Sequence, residues 1–295
     1  MNFRRSAYAV AVTVLEAIQR GTDFLARKGV ESPRLQVESL LAQVLGMPRL
    51  SLYLGFERTL SDGEVSSLRE WIRRRAAREP LQHILGSTSF CGLEIKVNEC
   101  VLVPRPETEL LAERARAFLS DIDSAAPVAL DFGTGSGCLA IALAVHCERA
   151  QVHALDISNE AVAVARQNAA ANRVSDRIHF HAGNGFEALE SDLSFNLIVS
   201  NPPYIARPDL EALAPEVRDH DPRVALDGGP DGLDFYRRLA GEAGGRLLTG
   251  GRLMLEIGDG QEARVREILE AHKWIVERVD ADYSGRPRVL VARPG

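Results

Sequence analysis

Val128-Ala129-Leu130-Asp131-Phe132-Gly133-Thr134-Gly135-Ser136-Gly137 decides how this chain folds. Five mostly apolar residues run into three glycines at alternate positions, the pattern of a buried strand that turns sharply at its tip. A helical pattern follows over residues 139–145, then a second apolar run from Val152 ends at Asp156. The alternation continues, with residues 161–171 helix-like and residues 178–181 and 195–200 strand-like. Strand and helix in succession predict an α/β domain, a mostly parallel sheet with helices on both faces. A glycine loop after one strand and a carboxylate at the tip of the next have the spacing of a nucleoside site. Glycines admit a ligand close to the backbone, and Asp156 can accept both hydrogen bonds of a ribose diol. The loop is G-x-G-x-G without the third glycine spacing of the dinucleotide fingerprint, so a plain structural turn is the alternative.

The run over residues 195–200 ends in Asn201-Pro202-Pro203-Tyr204. An Asn at a buried strand's tip, held by two ring-locked residues and followed by an aromatic ring, is a rigid clamp for a planar polar group. It follows the fourth strand of the same sheet and so shares the carboxyl edge with the glycine loop. A dinucleotide enzyme has no need of a clamp there, but a methyltransferase acting on a planar nitrogen does. Such a nitrogen is a weak nucleophile because its lone pair is delocalised. Catalysis must align it with a sulfonium methyl and favour the localised lone pair. The Asn201 side-chain oxygen and the Pro202 carbonyl can accept both N–H bonds of the attacking NH2. Tyr204 can pack on the flat group, with a cation–π component beside the sulfonium. The bland alternative is a strand-ending Asn-Pro-Pro turn.

Upstream the pattern changes. Val14, Leu15 and Ile18, then Leu40, Leu41 and Val44, then Val65, Leu68 and Ile72 recur at helical spacing. Ser32-Pro33 reads as a helix start, Gly46-Met47-Pro48 as its end, and Ser61-Asp62-Gly63-Glu64 as a capping box. Residues 81–105 alternate closer to period two around Gly86 and Gly92 and predict a β-hairpin. The expected organisation is a small all-helical, substrate-docking domain over 1–79, a hairpin linker over 80–105 and the methyltransferase domain over 106–295.

With 45% hydrophobic and 26% charged residues in 295, the chain has the balance of packed domains. Its net charge of −6 excludes a protein that holds nucleic acid mainly by general attraction to phosphate. Arg69, Arg73, Arg74, Arg75 and Arg78 crowd one stretch among Glu64, Glu70 and Glu79, either a solvated helix face or a partner-docking face. Cys91, Cys100, Cys138 and Cys147 lie too far apart for a C-x-x-C pair and predict buried, inert thiols, no metal and a cytoplasmic location. Arg4 and Arg5 ahead of residues 6–15 imitate a secretion signal, but Glu16, Gln19 and Arg20 continue a helical pattern, so a packed N-terminal helix is expected. No run reaches the ~18–20 apolar residues of a membrane span.

Further motifs run the length of the chain: Gly29-Val30-Glu31-Ser32-Pro33-Arg34-Leu35, Glu38-Ser39-Leu40-Leu41, Glu79-Pro80-Leu81-Gln82-His83-Ile84-Leu85-Gly86, Val103-Pro104-Arg105-Pro106-Glu107-Thr108-Glu109, the stretch from Asp221 to Gly229, and Gly285-Arg286-Pro287-Arg288. With these the chain resembles the peptide chain release factor glutamine N(5)-methyltransferases, the PrmC/HemK family, over nearly its whole length. Asn-Pro-Pro-Tyr alone is shared with DNA adenine and RNA guanine methyltransferases. Pro-Arg-Pro-Glu-Thr-Glu together with the helical domain is far more specific.

The resemblance implies a class I, Rossmann-like S-adenosylmethionine-dependent methyltransferase. Asp131, Phe132, Gly133, Thr134 and Gly135 would bind S-adenosylmethionine with its ribose on Asp156, aided by Asn184, Gly185 and Asn201. The substrate amide would sit on Asn201, Pro202, Pro203 and Tyr204, with Asn201, Pro202 and Tyr204 carrying catalysis. Phe90 lies either near the target pocket or in the core. The substrate implied is the glutamine of the Gly-Gly-Gln loop of class I release factors, with neither membrane nor direct nucleic-acid binding. One departure stands in Gly183-Asn184-Gly185-Phe186, where such families commonly place an acidic residue against the adenine amino group. The Asn184 oxygen can still accept that bond; otherwise it is a polar turn residue. Two rivals are a nucleobase amino methyltransferase using the same clamp and a non-catalytic partner-binding protein that keeps the cofactor pocket. The acidic balance and the lack of a recognisable base-reading domain oppose the first, and the intact clamp opposes the second.

Overall fold

The structure, a computed structural model, describes residues 12–295; the signal-like residues 4–11 lie outside them. The chain divides into two compact units, one ending at Leu85 and one spanning Gly86–Gly295.

The first unit is helical, with α1 Val14–Arg27, α2 Pro33–Val44, α3 Asp62–Ala76 and the short α4 Leu81–Leu85. Thr13 caps α1 and Ser61 caps α3, each reciprocally with the glutamate three residues on, so first-turn N–H groups gain partners. Ser32 makes no such bond; its φ is 45°, and the fixed φ of Pro33 opens α2 instead. Gly21 lets α1 approach its neighbours, because a Cβ there would lie 2.9 Å from both Val37 and Ile72. The arginine stretch divides by role. Arg74 pairs with Glu79 at 2.5 Å, buried Arg75 donates to Gln36 at 2.5 Å, and Arg78 donates to the Gly29 carbonyl at 2.7 Å. These three hold the unit together, while Arg69 and Arg73 stand on the exposed face.

Glu38 is buried and charged, with Arg34 donating at 2.9 Å, Arg49 at 3.0 Å and the Tyr53 hydroxyl at 2.9 Å. Burial pushes its carboxyl up, but the bonds from Arg34, Tyr53 and Arg49 outweigh that and hold it below the ordinary 4.5. A carboxyl whose pKa is lower folded than unfolded stabilises above the unfolded value, and that contribution disappears as pH falls through the folded value. Glu38→Gln is therefore expected to lower the unfolding free energy by about 1–3 kcal/mol at neutral pH. The same substitution should flatten the loss of stability below pH 4.5. Urea unfolding of both proteins at neutral and acid pH checks this, and equal stability at neutral pH would contradict it.

The second unit opens with a hairpin, β1 Ser87–Phe90 and β2 Leu93–Lys96. Its loop residues Cys91 and Gly92 have φ of 49° and 77°, the left-handed pair whose twist matches the strands it joins. Next come α5 Pro106–Asp121, β3 Val128–Phe132, α6 Cys138–His146, β4 Gln151–Asp156, α7 Asn159–Ala171, β5 Ile178–Ala182 and β6 Phe195–Ser200. The chain ends with α8 Pro215–Arg218, α9 Asp234–Glu242, β7 Leu247–Glu256, α10 Glu262–Ala271, β8 Trp274–Ala281 and β9 Pro287–Pro294. The seven-stranded sheet runs β5-β4-β3-β6-β7-β9-β8, parallel through β7 and antiparallel at β9 and β8.

This is the expected mostly parallel α/β sheet, buried on both faces. Ala129, Leu197 and Val199 pack with apolar residues of α5, α6 and α7, whereas Leu130, Phe132 and Ile198 pack with those of α9 and α10. The expectation of buried thiols is corrected for three of the four: Cys147 is buried, whereas Cys91, Cys100 and Cys138 are half-buried; all four are free, and burial pushes Cys91 up to about 11. Asn168 on α7 is wholly buried: its Oδ1 accepts from the Lys96 N–H at 2.8 Å, and its Nδ2 donates to the Lys96 and Ser136 carbonyls at 2.9 Å. One side chain thus ties the hairpin to the glycine loop.

Candidate active site

From β3 the chain steps outward to β4 and β5, then crosses back to β6 on the other side of β3. A crevice opens where the strand order reverses, beyond the carboxyl ends of β3 and β6. Parallel register pairs Ala129 with Leu197, Leu130 with Ile198 and Asp131 with Val199. Ser200 then donates its hydroxyl to the Phe132 carbonyl at 2.7 Å, locking the two tips level.

The loop after β3 is built for close approach. Gly133 and Gly135 have φ of 80° and 53°, and a Cβ at either would point into open space. Their glycine identity is therefore a matter of backbone conformation, and the space beside them is left to a ligand. Gly137 serves a different purpose, since its Cβ would lie 3.0 Å from that of Ala165 on α7. The Gly133 and Thr134 N–H groups donate to the Leu155 carbonyl at 2.8 and 2.9 Å, and the Gly135 N–H donates to Asp156 Oδ2 at 2.8 Å. Asp156 Oδ1 accepts from Ser158 N–H at 3.0 Å, so the carboxylate sits at the β4 tip with fixed orientation. Burial pushes its pKa up, against the pull of these backbone bonds.

Phe132, Gly133, Gly135, Asp156, Asn184, Gly185, Asn201 and Pro203 line one cavity. Four expected residues, Asp131, Thr134, Pro202 and Tyr204, are not among its lining. Asp131 is wholly buried; its Oδ2 accepts from the Thr134 hydroxyl at 2.6 Å and the Ala140 N–H at 3.1 Å, while Oδ1 has no protein partner. Burial pushes this carboxyl up to about 7. Thr134 thus braces the loop through Asp131. Pro202 and Tyr204 belong to the clamp whose other members reach the cavity. Phe90 is elsewhere: 1% exposed, it packs with Ile95 and Leu111 in the core, and the expectation of a place near the target pocket is corrected to a core aromatic.

The clamp itself presents two unused acceptors. Asn201 Nδ2 donates to the Thr108 hydroxyl at 3.0 Å, and neither Asn201 Oδ1 nor the Pro202 carbonyl has a partner among the described residues. Burial pushes the Tyr204 hydroxyl up to about 12, so the ring is neutral. Three glycines press on the clamp backbone. A Cβ at Gly228 would lie 2.8 Å from the Pro203 oxygen, one at Gly232 2.5 Å from the Tyr204 oxygen, and one at Gly258 3.0 Å from the Tyr204 ring. Gln261 completes the seat by donating to the Tyr204 carbonyl at 2.9 Å.

Other contributors were invisible in the sequence pattern. Arg238 on α9 donates to Asn184 Oδ1 at 2.6 Å and to its carbonyl at 3.0 Å, and lies over Gly185. Ile157, 56% exposed, adds an apolar wall beside Asp156. An open groove of about 550 Å³, lined by Arg207, Arg223 and Phe235 among others, adjoins the cavity through Val224, Phe235 and Arg238. No group of histidine, cysteine and carboxylate side chains suited to a metal ion occurs among the described residues.

Residues 16–86 match the model of the PrmC N-terminal domain, and residues 110–216 that of the methyltransferase small domain. The chain is 47% identical to a release factor glutamine methyltransferase of Geobacter sulfurreducens, covering 96% of this chain and 97% of that protein. It is 43% identical to one from Chlorobaculum tepidum, over 87% of this chain and 89% of the other. A crystal structure of a methyltransferase from Pyrococcus furiosus shares the fold, with 22% identity, a TM-score of 0.51 and coverage of 70% of this chain and 91% of that one. Identity of this extent over almost the full length of both chains shows that the chain belongs to the release factor glutamine methyltransferase family.

Proposed function

We propose that this chain transfers the methyl group of S-adenosylmethionine to the side-chain amide nitrogen of the glutamine in the Gly-Gly-Gln loop of class I release factors. The observation that carries the reading is the pair of free acceptors, Asn201 Oδ1 and the Pro202 carbonyl, at the strand tip beside the glycine loop. Two acceptors suit the two N–H bonds of one primary amide.

The cavity fits S-adenosylmethionine. Asp156 offers its carboxylate to the ribose diol, the open side of Gly133 and Gly135 leaves room along the backbone, and Ile157 offers an apolar face to adenine. The unpartnered Asp131 Oδ1 lacks a donor that a ligand ammonium would supply. The sulfonium, when bound, supplies an electrophilic methyl with a good leaving group. Asn201 and Pro202 accept the amide N–H bonds and hold the nitrogen in line, and Tyr204 packs the flat carboxamide and excludes water. The N–C bond would form as the S–C bond breaks, the donor would leave as a neutral thioether, and the nitrogen, acidic once alkylated, would pass its proton to solvent without a strong base. Phe235 and the arginines of the adjoining groove give room to residues flanking the glutamine.

Nucleic acid is not the acceptor in this reading, and the site of action is the cytoplasm. Labelled methyl transfer to purified release factor, with DNA and RNA in parallel, tests it: label in the factor alone supports the reading, and label in nucleic acid alone overturns it. Asn201→Ala is expected to reduce kcat by about a hundredfold or more, because orientation at the reacting nitrogen is lost. Its thermal stability should stay near the parent's, and equal turnover would remove Asn201 from the mechanism.

The helical unit is proposed to dock the release factor through its exposed Arg69 and Arg73. Arg69→Glu with Arg73→Glu should raise the KM for the whole factor by about tenfold, as remote contacts are lost. Turnover of a short Gly-Gly-Gln peptide should not change. An unaltered KM for the whole factor would show that this face has another use.

A further inference from the structure

We propose that Arg238 is a specificity-determining positioning residue: it turns the Asn184 amide so that the base of the cofactor meets a hydrogen-bond donor there rather than an acceptor. The inference rests on the reading of the cavity as an S-adenosylmethionine site. Asn184 lies in the turn after β5, and the Gly183 N–H ties that turn to the Asp156 carbonyl at 2.9 Å. The residue is therefore anchored beside the proposed ribose carboxylate, and it lines the cavity together with Arg238. An adenine ring presents two kinds of polar group, an amino group that donates and ring nitrogens that accept. Which kind Asn184 reads depends on which end of its amide is free.

A neutral amide can turn either way, because its two ends differ little in size. Arg238 removes the choice. A guanidinium has donors and no acceptor, so the atom it bonds must be the amide oxygen. Arg238 Nη1 donates to Asn184 Oδ1 at 2.6 Å, and Nη2 donates to the Asn184 carbonyl at 3.0 Å. Two bonds from one planar fork thus fix the side chain and the backbone of the same residue. The remaining donor, Nε, is held by Glu242 one turn along α9 at 3.2 Å, which keeps the fork aimed at the turn. Gly185 makes the approach possible, with φ of 68° and no room for a Cβ against the guanidinium.

What remains of Asn184 is Nδ2, with two protons and no partner among the described residues. Oδ1 keeps a second lone pair, but a short bond to a cation draws charge out of it and makes it a poor acceptor for a further donor. A carboxylate at the same position would bond Arg238 through one oxygen and leave the other, still charged, for the amino group. Asparagine at 184 inverts that polarity, so that a ring nitrogen is recognised and the amino group is not. The inversion needs both residues, since Asn184 without Arg238 is free to turn its oxygen inward.

The test is calorimetric titration of the parent, N184A, N184D and R238M. The ligands are S-adenosylhomocysteine, deaza analogues that each replace one ring nitrogen by C–H, and the analogue with hydrogen in place of the amino group. The parent should bind one deaza analogue about five- to tenfold more weakly than S-adenosylhomocysteine, the worth of one hydrogen bond. In N184A and R238M that preference should shrink to within about twofold, a change that general loosening of the cavity would not confine to one ring nitrogen. Loss of the amino group should cost N184A no less than it costs the parent, and in N184D it should cost about fivefold more. An amino-group preference in the parent that N184A loses overturns the proposal. So does a ring-nitrogen preference that survives in R238M, or one that no deaza analogue reveals. If R238M fails to fold, the comparison of the parent with N184A decides by itself. A parent that binds no S-adenosylhomocysteine would defeat the cofactor reading, a separate failure.

Discussion

The pairing of β3 with β6 is the constraint on which the site depends. Their parallel register, with Asp131 opposite Val199, brings two tips that are 68 residues apart in sequence to one level, and the Ser200 hydroxyl on the Phe132 carbonyl holds them there. One tip carries the glycine loop, the other the Asn-Pro-Pro-Tyr clamp. A slip of one residue would turn the side chains of β6 to the opposite faces of the sheet and carry Asn201 away from the crevice. Because Leu197 and Val199 pack on one face and Ile198 on the other, apolar burial on both sides enforces the register.

Around those tips the molecule accepts local costs. Asp131, Asp221 and Glu256 are buried carboxylates, each with one oxygen that has no protein partner. Burial raises the pKa of all three. Asp221 is held by Arg105 at 2.6 Å, and Asp131 by Thr134 and the Ala140 N–H. Strained or under-satisfied groups gathered at one place are the mark of a site arranged for function, with the sheet and its two apolar layers holding them in position. The glycines at 228, 232 and 258 belong to the same arrangement, since no larger residue would let the clamp backbone lie where it does.

Much of this was legible in the sequence, for a physical reason. The strands over 128–132 and 195–200 are apolar runs bounded by glycine or proline, and their periodicity survives in a single chain. The loop and clamp are contiguous motifs, so their placement at the carboxyl edge followed from the fold class. What the sequence hid was long-range. Thr108 serves Asn201 across 93 positions, Asn168 reaches Lys96 across 72, and Arg238 reaches Asn184 across 54. No local pattern marks such residues; they were ordinary polar positions on helices. Phe90 is a different case: the resemblance left it either near the target pocket or in the core, and it lies in the core. The C-terminal strands were not separated in advance because β7 contains Gly250 and Gly251 and because β8 alternates with exposed charges.

The central claim is that one sheet edge brings a methyl donor and a glutamine amide together on Asp156 and on the Asn201–Pro202 acceptors. A crystal structure of this protein with S-adenosylhomocysteine and a Gly-Gly-Gln peptide tests it most directly. The account predicts ribose hydroxyls on the Asp156 carboxylate and the glutamine amide nitrogen about 3 Å from both Asn201 Oδ1 and the Pro202 carbonyl oxygen. A glutamine bound elsewhere, or an Asn201 amide turned with Nδ2 toward the substrate, would contradict it.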